Sequence, residues 1–190
     1  YPATTISEPG VVRHIEGNRF PVGELDGQES ERVQRVSTLF EEAGFKSRIL
    51  DDIRSEIWLK LWGNLTFNPI SALTHSTLED ICRFPLTREL SANMMIEAQA
   101  IGERLGAHFR VPMEKRVAGA GAVGSHKTSM LQDVEQGKPL GIEGMRGAVI
   151  ELAALTKIEV PTLKALYACV SLLDQTVQTS RVKIKGIQDR

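Results

Sequence analysis

KLWGNLTFNPIS, residues 60–71, combines the apolar composition of a buried helix with a regular polar repeat. Lys60, Asn64 and Asn68 recur every four residues, so on a helix their side chains lie nearly above one another. Apolar residues occupy most of the other positions, which is typical of a helix packed against several neighbours. The segment therefore predicts a buried helix with one polar stripe (Lys60, Asn64 and Asn68), extended by Glu56 and Ser71, that faces something polar inside the protein.

Two interpretations of the polar stripe are open from residue types alone. An ammonium group is costly to bury, so a lysine on such a helix indicates neighbouring acceptors or a use for its charge. Alternatively, Lys60 extends to the surface and the two asparagines bind backbone groups where Pro69 disrupts the helix. Pro69 predicts a kink at the end of the stripe because it lacks a backbone donor.

The regions on either side of the stripe predict a mainly α protein with a short α/β segment in front. Residues 1–51 predict β-β-α-β: a hairpin over 10–24 turning at 16–18, a helix after Ser30 that stops at Gly44, and the strand FKSRIL, whose pairing partner is expected outside this chain. Residues 52–190 predict successive helices, the first capped by Asp51 or Asp52, and a fraying tail, SRVKIKGIQDR. After the stripe, the predicted helices cover residues 86–105, 114–123, 128–135, 142–156 and 162–178.

Composition limits the classes of partner. The 190 residues carry 23 basic and 24 acidic side chains without a basic block, which argues against nucleic acid and membrane surfaces and favours a small molecule. No apolar run is long enough to span a membrane, and the N-terminus lacks the features of a signal peptide. Cys82 and Cys169 lie in apolar helical contexts and are predicted to be buried free thiols of a reducing, cytoplasmic protein.

A second polar feature is HKTSMLQD, residues 126–133, which follows a run of small residues. Thr128 and Ser129 offer hydroxyls and backbone N–H groups at a predicted helix start, a favourable place for a carboxylate. An ordinary Ser/Thr helix cap explains the same residues. The chain contains no GxGxxG after a strand, GxxxxGK[ST], HExxH or GxSxG motif, and its four histidines are scattered, so no metal site is predicted.

These segments together resemble the ketopantoate reductase (2-dehydropantoate 2-reductase) family over essentially the whole chain. The matching stretches are EPGVVRHIEGNRFPVGE, EIWLKLWGNLTFNPISALT, HKTSMLQD and the region from DVEQGKPLGIEG to VPT. The resemblance implies a helical C-terminal, dehydrogenase-like substrate-binding and dimerisation domain, preceded by the end of an NADPH-binding Rossmann domain. The upstream remainder is expected to lie outside this chain, so this chain alone is expected to be inactive.

The resemblance also implies roles for individual residues. Lys60 would donate a proton to the ketone oxygen of a 2-keto acid, and Asn64 and Asn68 would hold its hydroxyl and carbonyl end. Ser129, with Thr128 beside it, would bind the substrate carboxylate. The implied activity is NADPH-dependent reduction of ketopantoate, or a related 2-keto acid, to pantoate by a cytoplasmic homodimer active in pantothenate biosynthesis.

Two positions depart from the family pattern. Gly141 stands where the family usually has a glutamate, and Glu143, two residues on and about 200° around a helix, is not expected to replace it. Leu78 falls where some members have a polar substrate contact. The alternative interpretation is a helical dimerisation module that has lost catalysis.

Overall fold

A computed structural model describes the backbone of residues 1–179 and their side chains except those of residues 143–147. The predicted fraying tail, SRVKIKGIQDR, lies outside the described residues. The chain divides into two compact units, Tyr1–Ile57 and the part from Trp58 onward.

The first unit opens with an antiparallel hairpin. Strand β1 (Ala3–Glu8) pairs with β2 (Val11–Glu16), and the chain turns at Pro9 and Gly10. Gly10 has a φ of 81°, a left-handed conformation that glycine adopts without steric cost. The sequence predicted the turn at 16–18, which is wrong because the Pro-Gly pair already reverses the chain.

The rest of the first unit is a parallel crossover. Helix α1 (Glu31–Glu42) begins after Ser30, whose Oγ accepts a hydrogen bond from the Val33 backbone N–H at 3.2 Å. The flanking segments 18–22 and 46–50 run parallel, with Val22 N–H donating to Arg48 O at 3.0 Å and Leu50 N–H to Val22 O at 2.8 Å. The prediction that FKSRIL has no partner in this chain is wrong, because α1 returns it to residues 18–22.

Helices dominate the remainder of the described chain, in agreement with the predicted fold class. They are α2 (Ile53–Thr74), α3 (Leu78–Arg83), α4 (Pro85–Arg104), α5 (Met113–Ala122), α6 (Ser129–Glu135), α7 (Ile142–Thr156) and α8 (Pro161–Gln178). The sequence predicted α4 to α8 within two residues at each end. It missed α3, a short helix with a capping box formed by Thr77 and Asp80.

The core of the second unit forms around α2, α4 and α8. Trp62 of α2 is fully buried and its Nε1–H donates to the Met95 carbonyl of α4 at 2.8 Å. Tyr167 of α8 is also buried, and its hydroxyl donates to the Leu65 carbonyl of α2 at 3.3 Å. These two bonds hold α2 between its neighbours and satisfy polar groups that would otherwise be costly inside a core.

The two cysteines have different environments. Both are free thiols; Cys82 is buried, and its burial raises the pKa of the thiol. Cys169 is exposed, so the prediction of a second buried thiol is wrong. The reason is that α8 buries Leu163, Tyr167 and Val170, and Cys169 lies on its other side. Among the described helices, none is long and apolar enough to cross a membrane.

Candidate active site

The polar stripe lies on the more open side of helix α2, whose opposite side is buried in the core. Lys60 is exposed, and Asn64 and Asn68 are half-buried, whereas Trp62 and Leu65 between them are 0 % exposed. Helix α2 is continuous from Ile53 to Thr74 and includes Pro69, so the three polar residues remain on one face. The prediction that the stripe faces the interior is wrong for Lys60, which is exposed, because a position at the surface avoids the cost of burying an ammonium.

Ser71 and Glu56, the two residues predicted to extend the stripe, make hydrogen bonds with other parts of the chain. Ser71 is 0 % exposed, and its hydroxyl donates to the Ser76 carbonyl at 2.7 Å, which ties the end of α2 to the following loop. Glu56 accepts a hydrogen bond from the Tyr1 hydroxyl at 2.9 Å. Burial, followed by this carboxylate, raises the pKa of Tyr1 to about 12. The candidate site on α2 is therefore Lys60, Asn64 and Asn68.

Thr128 and Ser129 occupy different environments at the start of α6. Thr128 is the N-cap: its side chain is 5 % exposed, and Oγ1 accepts the Leu131 backbone N–H at 3.2 Å. The structure thus supports the cap interpretation for Thr128. Ser129 is the first residue of α6 and its side chain is exposed. Of the two hydroxyls, that of Ser129 is the more available to a ligand.

The loop before α6 is attached to the segment that follows α2. Leu78 N–H, at the start of α3, donates to the His126 carbonyl at 3.1 Å, and Ser125 Oγ donates to Glu79 at 3.2 Å. Residues 75–77 connect α3 to the end of α2. These bonds tie the loop before α6 to the segment that directly follows α2.

Arg116, on α5, is a polar residue near the stripe that the sequence patterns did not indicate. A Cβ placed on Gly63 would overlap Arg116 Nη2 and lie 3.3 Å from Cζ and 3.5 Å from Nε, so the guanidinium rests directly on α2. The residue in the sequence that could have indicated this contact is Gly63, because glycine inside a helix is unfavourable and often marks a close approach by another group.

A metal cluster, or a cavity away from the stripe, would be an alternative site in the described part of the chain. No group of three or more His, Cys, Asp or Glu there could hold a metal ion. An open groove of about 590 Å³ lies beside Thr74, Ile81 and Phe84, and its lining contains none of the predicted site residues. The site on α2 and α6 thus remains the candidate.

Comparison with known proteins identifies the family. The family described as ketopantoate reductase PanE/ApbA C-terminal matches residues 52–174. This chain belongs to the ketopantoate reductase family. It is 52 % identical over 173 residues to a 2-dehydropantoate 2-reductase of Mesorhizobium japonicum, covering 91 % of this chain and 53 % of that relative. The chain therefore spans about half the length of this family member.

Solved structures of ketopantoate reductases share the fold. The 2-dehydropantoate 2-reductase of Methylococcus capsulatus superposes with a TM-score of 0.83 at 30 % identity, over 93 % of this chain and 62 % of that one. A dimeric ketopantoate reductase of Staphylococcus aureus superposes with a TM-score of 0.76 at 21 % identity, over 93 % and 60 %. The predicted fold class is thus confirmed.

Gly141, which is predicted to stand at the position of the family's usual glutamate, has a backbone suited to glycine. Its φ is 60° and ψ 28°, and it is the N-cap that precedes α7. A Cβ there would meet none of the described atoms within 4 Å, although the left-handed conformation disfavours other residues. Because Gly141 lies outside α7, the predicted 200° helical offset from Glu143 does not apply.

Proposed function

We propose that this chain is the helical part of an NADPH-dependent 2-dehydropantoate 2-reductase, which reduces ketopantoate or a related 2-keto acid to pantoate. The observation that carries the proposal is the polar stripe, where a lysine and two asparagines share the open face of a helix whose other side is core. Solvated surface helices do not need this arrangement, whereas a site that binds a small polar molecule does. Family membership and the 52 % identity to a 2-dehydropantoate 2-reductase support the same activity.

Lys60 is the proposed proton donor. Reduction of a ketone places negative charge on its oxygen as the carbonyl carbon gains a hydride, and an ammonium beside that oxygen stabilises the charge. Transfer of one proton from Lys60 Nζ to the oxygen then completes the alcohol. Lys60 is exposed on α2, on the same face as Asn64 and Asn68.

Asn64, Asn68 and Ser129 are the proposed substrate-binding residues, with Thr128 supporting Ser129. Each asparagine amide can donate to a carbonyl and accept from a hydroxyl, so the pair suits the hydroxyl and carbonyl end of ketopantoate. The Ser129 hydroxyl is exposed and can donate to a carboxylate oxygen. Thr128, as the buried cap of α6, fixes the backbone on which Ser129 is presented.

The cofactor proposal concerns the whole protein. When bound, NADPH supplies the hydride. The 190 residues contain no strand–GxGxxG–helix unit, so this chain's own residues do not form a pyrophosphate site. We therefore assign it the proton donor and the substrate contacts, and assign the dinucleotide to the remainder of the protein's length.

The assembly and location are also proposed. A homodimer is supported by the dimeric ketopantoate reductase of Staphylococcus aureus, which shares this fold. A cytoplasmic location fits the use of NADPH and the absence of disulfides among the described cysteines.

The test is to assay the full-length protein with NADPH and ketopantoate, following NADPH absorbance and identifying the product by mass spectrometry. Formation of pantoate supports the proposal. A folded full-length dimer that reduces neither ketopantoate nor other 2-keto acids would instead identify the chain as a dimerisation module without catalysis.

A further inference from the structure

Arg116 is a partly buried cation whose charge is not balanced within the described structure. Its Nε is buried without a hydrogen-bond partner, and none of the described salt bridges involves its guanidinium. Burial is also the cause that lowers its pKa. Leaving a cationic donor buried and unsatisfied costs free energy, so such a group calls for an explanation.

The guanidinium lies beside the polar stripe. It rests on Gly63, which is three residues after Lys60 and directly precedes Asn64. Residues three apart on a helix are surface neighbours, roughly 5–6 Å between their Cβ positions. The Arg116 guanidinium thus reaches α2 on the same turn as the proposed proton donor.

Gly63 permits this placement. Any side chain at position 63 would overlap Arg116 Nη2, whereas glycine lets the planar guanidinium lie against the helix backbone. The guanidinium lies against the α2 backbone at Gly63, and its planar fork of donors loses little freedom for each hydrogen bond that it forms with a ligand. Both residues belong to the second unit, Gly63 on α2 and Arg116 on α5.

We propose that Arg116 binds the carboxylate of the 2-keto acid and thereby selects charged substrates. The inference rests on the proposed function. In a 2-keto acid, the carboxylate is bonded directly to the ketone carbon, so the two groups lie side by side. Lys60 of α2 and Arg116 of α5, whose guanidinium contacts α2 at Gly63, match that pair: Lys60 for the ketone oxygen and Arg116 for the carboxylate. Ser129 adds a neutral donor to the same carboxylate.

The test compares a carboxylate with its uncharged counterpart in the full-length protein. Calorimetry, with NADP⁺ present, measures binding of pantoate and of the lactone formed from it. Arg116→Met should weaken pantoate binding about 10- to 100-fold, the usual effect of losing a charged hydrogen bond, and leave the lactone unchanged. In steady-state assays the KM for ketopantoate should rise while that for NADPH stays constant. Arg104→Met, which removes an exposed arginine from the last turn of α4, is the matched control and should change neither.

Several outcomes would overturn the inference. Equal pantoate affinity in wild type and Arg116→Met is one, and an increase in the KM for NADPH alone is another, because it would assign Arg116 to a cofactor phosphate. Should Arg116→Met not fold, Arg116→Gln gives the same comparison with a planar polar group retained. If both variants unfold, Arg116 is a structural anchor and the inference fails.

The binding measurements also distinguish failure of this inference from failure of the proposed function. A wild-type protein that binds neither pantoate nor its lactone contradicts the proposed substrate. Oxalate titration then tests Arg116 independently: binding that is lost in Arg116→Met supports a carboxylate site, and no binding, or equal binding by both proteins, contradicts it.

Discussion

The side chain of Glu97, on α4, accepts a hydrogen bond from Leu163 in the first turn of α8 and so caps that helix. The Leu163 backbone N–H donates to Glu97 Oε2 at 2.8 Å, and the neighbouring Thr162 N–H donates to Oε1 at 2.8 Å. Helix α8 has no side-chain cap of its own, since Val160 is its N-cap and Pro161 its first residue. A carboxylate from another helix therefore satisfies donors that every helix start leaves open.

Glu97→Gln should destabilise the protein by about 1–2 kcal/mol, because an amide offers one acceptor oxygen in place of two charged ones. Urea unfolding followed by circular dichroism measures the loss. Glu89→Gln, at an exposed position of the same helix, is the control and should change stability by less than about 0.5 kcal/mol. Equal stability of the Glu97 variant and the wild type would contradict the capping role.

Lys60→Ala in the full-length enzyme should lower kcat by about 100- to 10,000-fold, the usual contribution of one general acid. NADPH affinity should barely change, since Lys60 is proposed to contact the substrate. Lys60→Arg should lower kcat as well, because a guanidinium stays protonated and has a wider planar head. Near-normal turnover of Lys60→Ala would remove Lys60 from the mechanism. Lys115→Ala, at an exposed position on α5, is the matched control.

Substitutions at Thr128 and Ser129 should affect different properties, the first the stability of the protein and the second the binding of the substrate. Thr128→Ala removes the cap of α6 and should cost about 1 kcal/mol of unfolding free energy. Ser129→Ala should leave stability unchanged and raise the KM for the 2-keto acid by about 3- to 10-fold, as expected for loss of one neutral hydrogen bond. A KM unaffected by Ser129→Ala would show that Ser129 does not bind the carboxylate.

Gly141→Glu should leave activity in place and tighten use of the cofactor or ketopantoate, because a Cβ at Gly141 would meet none of the described atoms within 4 Å. Its left-handed backbone should make the variant about 1–2 kcal/mol less stable. Gly141→Ala carries the same backbone strain without the charge, so a comparison of the two variants isolates the carboxylate. Collapse of activity in a folded Gly141→Glu, but not in Gly141→Ala, would indicate a site shaped for another substrate or cofactor pose.

The capping box of α3 should weaken in acid. Hydrogen bonds from the Thr77 hydroxyl and backbone N–H hold the pKa of Asp80 below its ordinary value of 3.8. A depressed carboxyl pKa contributes stability that is complete above the ordinary value and is lost as pH falls through the folded-state value. The stability difference between wild type and Asp80→Asn should therefore be constant above about pH 5 and shrink as the pH falls below the ordinary value of 3.8 in urea titrations. A constant difference would mean that Asp80 charge does not contribute.

Sequence patterns could predict only the part of the site whose residues lie on a single helix. Lys60, Asn64 and Asn68 share a face because of helical periodicity, which four-residue spacing reveals without tertiary information. Their exposure could not be read in the same way, because it depends on which side of α2 the other helices cover. Arg116 was missed for a similar reason: its contact with Gly63 joins residues 53 positions apart.

Local sequence determined the helices of this protein, and tertiary packing decided how their ends and faces are used. Periodic apolar residues, Ser30, and the glycines and prolines between segments mark most helix bounds, since these signals act within a few residues of the chain. Only the folded chain pairs residues 18–22 with 46–50, caps α8 with Glu97 and ties the loop before α6 to the segment that follows α2. Such bonds join groups distant in sequence, and their formation depends on the packing of whole elements, which no local pattern records.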